Sequence, residues 1–133
     1  MATITRTTQL FKDLDLAFSA HPNTKDLAKK TNVEAIKQSL KNLLLTQYYE
    51  RPFHSEIGSP VRVLLFELAT PLVQQSMQRA IVDVIQNFEP RVTVEDVYVF
   101  VKDDTNEVII SVTFVVVGFD TLEELELTLI RTR

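Results

Sequence analysis

Residues 107–117 read EVIISVTFVVV, and this stretch decides the fold class. Its residues alternate between two faces with the period of two that is typical of a β-strand. The first face carries only apolar side chains: Val108, Ile110, Val112, Phe114 and Val116. The opposite face is also largely apolar, so we expect both faces to be buried, one on helices and one on a neighbour.

Strands are predicted on both sides of this stretch. Residues 92–101 are rich in β-branched and aromatic residues, and a polar turn joins them to 107–117 as an antiparallel hairpin. After a second turn, a run of alternating leucines indicates a third, C-terminal strand. We therefore expect a small antiparallel sheet with an open edge over 92–131. The alternating residues of the third strand are Leu125, Glu126, Leu127, Thr128 and Leu129.

Helices are predicted ahead of the sheet, over 31–88. Residues 31–46 carry apolar side chains at helical spacing. Ser59, as the cap, and Pro60 begin a short second helix. Helices followed by an antiparallel sheet define the α+β class. We expect one α+β domain over 31–133, preceded by an N-terminal arm or lead-in over 1–30.

A third predicted helix joins the helical part to the sheet. Thr70 and Pro71 begin it, because threonine caps a helix and proline is tolerated at its first position. Its apolar stripe runs from Leu72 through Met77 to Phe88.

The acidic and basic residues are unevenly distributed. Residues 1–58 carry 8 basic and 6 acidic residues, whereas residues 59–133 carry 6 basic and 12 acidic residues. The acidic excess is sharpest over 92–130, and an acidic surface repels phosphate, so we expect no nucleic-acid partner. Two interpretations of it stay open, a solvated sheet face and a surface that attracts a basic partner. The sequence has no run of 18 apolar residues, so we expect no membrane partner.

Catalytic signals are weak. The chain has no cysteine, its two glycines form no phosphate-binding loop, and His21 and His54 lack metal-ligand spacing. We expect no catalytic residue, no cofactor and no metal. The acids nearest to the two proline-containing breaks are Glu50, Glu56 and Glu89.

Two proline-containing segments stand out. The first is Arg51-Pro52-Phe53, followed by Gly58, where we expect a positive φ angle or a crowded backbone. The second is Glu89-Pro90-Arg91, between the last helix and the sheet. Its opposite charges are expected to point to different sides of the chain. The alternative is a helix stop with an incidental ion pair.

These segments carry a family resemblance. The order Arg51-Pro52-Phe53, Leu65-Phe66-Glu67, Thr70-Pro71-Leu72 and 87–91 (NFEPR), ahead of a β-rich tail, resembles the small baseplate wedge protein of contractile-tailed phages, also called the sheath initiator. The type VI secretion subunit TssE belongs to the same group. The resemblance covers about residues 30–131.

The resemblance implies that the protein is a structural subunit of a virion tail baseplate, which is assembled in the host cytoplasm. It implies contact with the larger wedge subunits, with tail tube or hub proteins as further neighbours. It also implies that the β part accepts strands from the tail sheath protein and templates the first sheath ring. The expected wedge-binding residues are Glu89, Pro90, Arg91, Arg51 and Phe53. The expected sheath-binding residues are those of the third strand, Leu125, Leu127, Leu129, Glu126 and Thr128.

Two alternative functions stay open. The family is often labelled lysozyme-like, so one alternative is a tail-associated peptidoglycan hydrolase. The other alternative is a type VI secretion baseplate subunit, with similar mechanics in a bacterial host.

Overall fold

A computed structural model describes residues 11–67 and 69–131. The first ten residues of the expected N-terminal arm lie outside the described residues. The chain divides into two compact units, the first ending at Gln38 and the second beginning at Ser39. The predicted arm over 1–30 and domain over 31–133 stay predictions.

The first unit contains a two-stranded antiparallel sheet that the sequence did not predict. Strand β1 (Lys12–Leu14) pairs with β2 (Lys29–Thr31), and Asp13 lies opposite Lys30. Strands of three residues are too short to show an alternating pattern. Helix α1 (Asn32–Leu45) follows directly, so the predicted helix 31–46 is confirmed with its first residue at Asn32.

Helix α2 (Val61–Leu64) is short and begins differently from the prediction. Pro60 holds the capping position, and no side chain caps the helix. Ser59 was expected as the cap, but its buried hydroxyl donates a hydrogen bond to the Leu44 carbonyl oxygen at 2.6 Å. This bond satisfies a carbonyl at the end of α1, which has no partner within that helix.

Helix α3 (Pro71–Phe88) begins where the sequence predicted it. The Thr70 hydroxyl oxygen accepts a hydrogen bond from the Val73 N–H at 3.3 Å. The buried residues of α3 are Met77, Ile81, Val84 and Ile85. Leu72 is 73% exposed, so its place in the apolar stripe was wrong. Val73, which lies four residues before Met77, faces the core in that turn and lines a small cavity with Val99.

The second unit ends in the predicted antiparallel sheet, in the order β3-β4-β5. Its strands are β3 (Val92–Lys102), β4 (Glu107–Val116) and β5 (Leu122–Ile130). Helix α3 contacts β3. The inner face of β4 is buried, as predicted, whereas its outer face is half-buried. Burial of this outer face against a neighbouring protein stays a prediction. The α+β class is confirmed.

Candidate interaction surfaces

The segment Glu89-Pro90-Arg91 turns the chain from α3 into β3. Glu89 caps the helix, and its N–H donates a hydrogen bond to the Ile85 carbonyl at 2.9 Å. Pro90 is exposed and lacks the N–H that a further helical turn would need. The Val92 N–H then donates to the Glu89 carbonyl at 3.3 Å and closes the turn. This closure brings the side chains of residues 89 and 91 to the same side.

Arg91 and Glu89 form a bidentate ion pair. Arg91 Nε lies 2.5 Å from Glu89 Oε1, and Nη2 lies 2.8 Å from Oε2. Glu89 is only 4% exposed, whereas the Arg91 side chain is 36% exposed. The expectation that the two charges point to different sides was therefore wrong. A buried carboxylate requires a charged or hydrogen-bonding partner, and the guanidinium two residues away supplies both.

Ser39 of α1, which was not predicted as a site residue, completes this cluster. Its hydroxyl donates a hydrogen bond to Glu89 Oε2 at 2.7 Å and lies 3.4 Å from Arg91 Nη2. The signal in the sequence is a serine on the apolar face of α1, three residues after Ile36 and four before Leu43. A polar residue in such a stripe indicates a buried polar partner.

The surroundings of Glu89 change its acidity. Burial acts to raise the pKa of Glu89, but hydrogen bonds from Arg91 and Ser39, together with the Arg91 charge, outweigh burial and leave the pKa below its ordinary value. The carboxylate is therefore ionised at neutral pH. A general acid for glycoside hydrolysis needs a raised pKa instead. Glu89 has the electrostatics of a structural residue.

The loop 47–58 leaves α1 and returns to the same place. The Ser59 N–H donates a hydrogen bond to the Thr46 carbonyl at 2.8 Å, which joins the two ends of the loop. Gly58 packs so closely there that a Cβ atom would lie 2.6 Å from the carbonyl carbon of Gln47. The crowded backbone predicted at Gly58 is thus confirmed. A loop with joined ends is a compact Ω-type loop.

This closed loop holds aromatic side chains in solvent. Phe53 is fully exposed, and Tyr49 is 86% exposed. Both residues have φ angles of 68°, a conformation that costs a bulky residue free energy unless the surroundings impose it. Arg51, between them, is also exposed. Exposed aromatic residues on a constrained loop are typical of a protein interface.

The β5 strand forms one open edge of the sheet. It pairs with β4 without a register shift, from Val115 opposite Leu122 to Glu107 opposite Ile130. The Arg131 N–H donates to the Asn106 carbonyl at 2.7 Å, so the odd-numbered residues of β5 direct their N–H and C=O groups toward β4. The backbone groups that face the open edge therefore belong to the even-numbered residues: Leu122, Glu124, Glu126, Thr128 and Ile130.

The five residues predicted for sheath binding divide into two sets. Glu126 and Thr128 present their backbone groups at the open edge. Leu125, Leu127 and Leu129 use their backbone groups within the sheet and point their side chains toward the core, where Leu127 is 6% exposed. The alternation that the sequence predicted therefore separates core residues from edge residues.

The opposite edge, on β3, is irregular. The register shifts between Val94 and Asp96, which is a β-bulge. The Val117 N–H donates to the Arg91 carbonyl at 2.9 Å, so the odd-numbered residues of β3 before the bulge face β4. The extra residue of the bulge reverses this alternation, and the Val97 N–H therefore faces the open edge. Asp96 Oδ1 accepts a hydrogen bond from that N–H at 2.8 Å. Bulges and local capping of this kind protect an edge from strand addition.

The remaining acids near the proline breaks, Glu50 and Glu56, take part in local hydrogen bonds. A Glu50 carboxylate oxygen accepts a hydrogen bond from the Gln47 N–H at 2.9 Å. A hydrogen bond from its own backbone N–H and an interaction with His54 hold the pKa of Glu56 below its ordinary value. Over 11–67 and 69–131, no cluster of His, Asp or Glu residues could hold a metal ion. No helix in this described part is long and apolar enough to cross a membrane.

Solved structures of similar fold include chains from two baseplate complexes and a proposed tail lysozyme. A chain of the anti-feeding prophage baseplate has a TM-score of 0.63 and 20% identity, covering 92% of this chain and 87% of its own. A chain of a type VI secretion baseplate complex has a TM-score of 0.62 and 15% identity, over 75% of this chain and 94% of its own. A proposed tail lysozyme from Geobacter sulfurreducens has a TM-score of 0.69 and 17% identity, covering 75% of this chain and 91% of its own. At these identities the likeness shows the fold alone.

Sequence comparison identifies the family. Residues 30–119 match the family described as baseplate wedge protein gp25. The baseplate wedge protein gp25 of Enterobacteria phage T4 is 32% identical over 122 residues, which are 91% of this chain and 92% of the T4 protein. The chain therefore belongs to the baseplate wedge protein gp25 family, and the resemblance found in the sequence is confirmed.

Proposed function

We propose that this chain is a structural subunit of a contractile-tail baseplate wedge that starts the tail sheath by β-strand addition at β5. The observation that carries the proposal is the open, regular edge of β5. An incoming strand of the sheath protein would find N–H and C=O groups at Leu122, Glu124, Glu126, Thr128 and Ile130. Such pairing supplies affinity through backbone hydrogen bonds. The bulged β3 edge supports the assignment to β5.

The wedge-facing surface of the proposal lies in the loop 47–58 and at the exposed turn after α3. Phe53, Arg51 and Pro90 are exposed and can contact a larger wedge subunit directly. Arg91 is partly exposed, whereas Glu89 is buried and holds Arg91 in place. In this proposal Glu89 is a positioning residue.

The proposed role is not enzymatic. The T4 relative is described as a baseplate wedge protein, and Glu89 has the lowered pKa of a structural carboxylate. The proposed location is the virion tail baseplate, after assembly in the host cytoplasm, with tail tube or hub proteins as further neighbours.

Sheath growth on purified baseplates tests the β5 edge. In a Thr128→Pro variant, the edge loses one outward N–H, while the hydrogen bonds between β4 and β5 remain, because proline is tolerated at an edge position whose N–H faces solvent. We expect this variant to fold and to fail in sheath initiation. Thr128→Ala, which keeps the N–H, is the matched control and should initiate sheath normally. Normal sheath growth on the folded proline variant would contradict strand addition at β5.

Co-purification with wedge subunits tests the aromatic loop. Phe53→Ser should fold like the unmodified protein, since the side chain makes no buried contact. We expect its association with the larger wedge subunits to weaken at least tenfold, because exposed aromatic anchors carry much of the affinity of an interface. Leu72→Ser is the control, as Leu72 is also exposed but lies at the start of α3. Equal association of both variants would place the wedge contact elsewhere.

A further inference from the structure

The outer face of the three-stranded sheet has apolar side chains at both ends. At one end, Phe100 of β3 lies beside Ile109 of β4, and Ile130 lies in the next row, opposite Glu107. At the other end, Val115 lies opposite Leu122. Phe100 is 43% exposed, and Ile130 and Leu122 are about two-thirds exposed, at 68% and 66%. Exposed apolar side chains at both ends of one face indicate a surface that another chain covers.

The middle of this face is acidic. Asp96 and Glu124 flank Thr113 in one row, and Glu126 lies in the next row, opposite Ser111. All three carboxylates belong to exposed residues. The ion pairs found over 11–67 and 69–131 do not include them. The one lysine of this face, Lys102, lies 3.9 Å from Glu107 at the end of the sheet. The central rows therefore carry uncompensated negative charge.

The size of the face matches one helix. From Glu107 to Val115 the sheet extends about 27 Å, at about 3.4 Å per residue, and its three strands span about 10 Å. A helix of about 18 residues has the same length, at about 1.5 Å per residue, and a similar width. The inner side has the same arrangement, because α3 has 18 residues and contacts β3 there.

We propose that the outer face of the sheet binds an amphipathic α-helix of a partner protein, with basic residues in its middle and apolar residues near both ends. The apolar ends would contact the Phe100 and Leu122 ends of the sheet. The basic middle would lie over Asp96, Glu124 and Glu126. This site goes beyond the β5 edge and the loop 47–58, because it includes Phe100 and the exposed Tyr98, which lies opposite Ser111. Both belong to β3, two strands away from β5. It therefore does not rest on the function proposed above.

Peptide binding to the full chain tests this site. The probe is a synthetic 18-residue helical peptide with leucines near both ends and three lysines in the middle of the same face. Its matched control carries glutamates at the three lysine positions. We expect amide NMR shifts at Phe100, Ile109 and Glu124 with the basic peptide, and at least tenfold weaker binding of the acidic peptide. Binding should also weaken as NaCl rises from about 50 to about 500 mM, because salt screens exposed charges.

Chain variants complete the test. Glu124→Gln combined with Glu126→Gln should weaken binding of the basic peptide at least tenfold. Glu67→Gln combined with Asp83→Asn, which removes two exposed acids outside the face, should leave it unchanged. Equal binding of both peptides, shifts confined to other surfaces, or unchanged affinity of the Glu124/Glu126 variant would overturn the proposal. Concentration-dependent dimerisation with shifts on the same face would also overturn it and assign the face to a second copy of this chain.

Discussion

Arg91 and Glu89 pair through two hydrogen bonds, at 2.5 and 2.8 Å, across a single proline. The pair lies where α3 ends and β3 begins. Ser39 adds a third bond, from α1 to the same carboxylate. The junction of the consecutive elements α3 and β3 thus meets α1, whose Ser39 lies 50 residues before Glu89, at one buried charge. The stability of the helix-to-sheet junction therefore depends on residues that are also candidates for the wedge interface.

Removal of the cation should destabilise the protein. In Arg91→Met, Glu89 remains buried without its counter-ion, which costs about 3 kcal/mol in the free energy of unfolding. Urea denaturation measures this loss. The double variant Glu89→Gln/Arg91→Met should recover part of it, since a neutral amide needs no counter-ion. Arg79→Met, at an exposed position on α3, is the control and should change stability by less than about 0.5 kcal/mol. A loss no larger than that of the control would show that the pair contributes little to folding.

The ion pair should also make stability depend on pH. Because the pKa of Glu89 is lowered in the folded state, its contribution is present above its ordinary value of 4.5 and is lost as the pH falls through the folded-state pKa. The difference in unfolding free energy between the unmodified protein and Glu89→Gln should therefore shrink in acid.

The sign of this dependence should reverse in Arg91→Met. Burial without a cation raises the pKa of a carboxyl group, so that variant should lose stability as the pH rises above 4.5. Chemical denaturation at a series of pH values measures both slopes. Parallel slopes in the two proteins would mean that Arg91 does not set the acidity of Glu89.

An added methyl group at Gly58 should open the loop 47–58. The new Cβ would lie 2.6 Å from the carbonyl carbon of Gln47 and 2.7 Å from the Tyr48 nitrogen. These are backbone atoms next to the Ser59–Thr46 hydrogen bond, so Gly58→Ala should cost about 1–3 kcal/mol. Denaturation and limited proteolysis within the loop measure the effect. Ser55→Ala, at an exposed position of the same loop, should be nearly neutral. Unchanged stability and protease resistance in Gly58→Ala would mean that the close approach is not required.

Peptidoglycan hydrolysis should be undetectable. The purified chain should give no band in a zymogram, because Glu89 is ionised and held by Arg91, and Glu50 and Glu56 accept local hydrogen bonds. A band that disappears when Glu50→Gln, Glu56→Gln or Glu89→Gln is introduced singly would contradict a structural role. It would favour the tail-lysozyme alternative.

The sheet and the long helix could be predicted from the sequence because their signals are local. Residues of β4 alternate in burial along the whole strand, and Thr70 with Pro71 marks the first turn of α3. The position of Leu72 was predicted wrongly, although helical spacing favours Val73, which lies four residues before Met77, over Leu72, which lies five residues before it. Val73 takes that place.

The candidate site was only partly predictable. Glu89-Pro90-Arg91 stood out as a proline-containing segment. The expectation that its charges point to different sides was wrong, whereas the alternative, a helix stop with an ion pair, matches the observed pairing. Their pairing depends on how Pro90 and the Val92–Glu89 hydrogen bond turn the chain, which the residue order does not specify. Ser39 could not be assigned because its partner lies 50 residues away.

The sequence by itself determined the order of the elements, the α+β class and the family, because capping residues, alternation and short motifs act over a few neighbouring positions. Only the tertiary structure decided that Arg91 pairs with Glu89 and Ser39, that Gly58 packs on Gln47, and that Thr128 rather than Leu127 faces the open edge. These relations depend on how the chain turns at Pro90, on packing within the loop 47–58, on the contact of α1 with Glu89 and on the register between β4 and β5. The free energy of burying a charged side chain, packing backbone atoms closely or pairing a strand depends on contacts that form only in the folded chain.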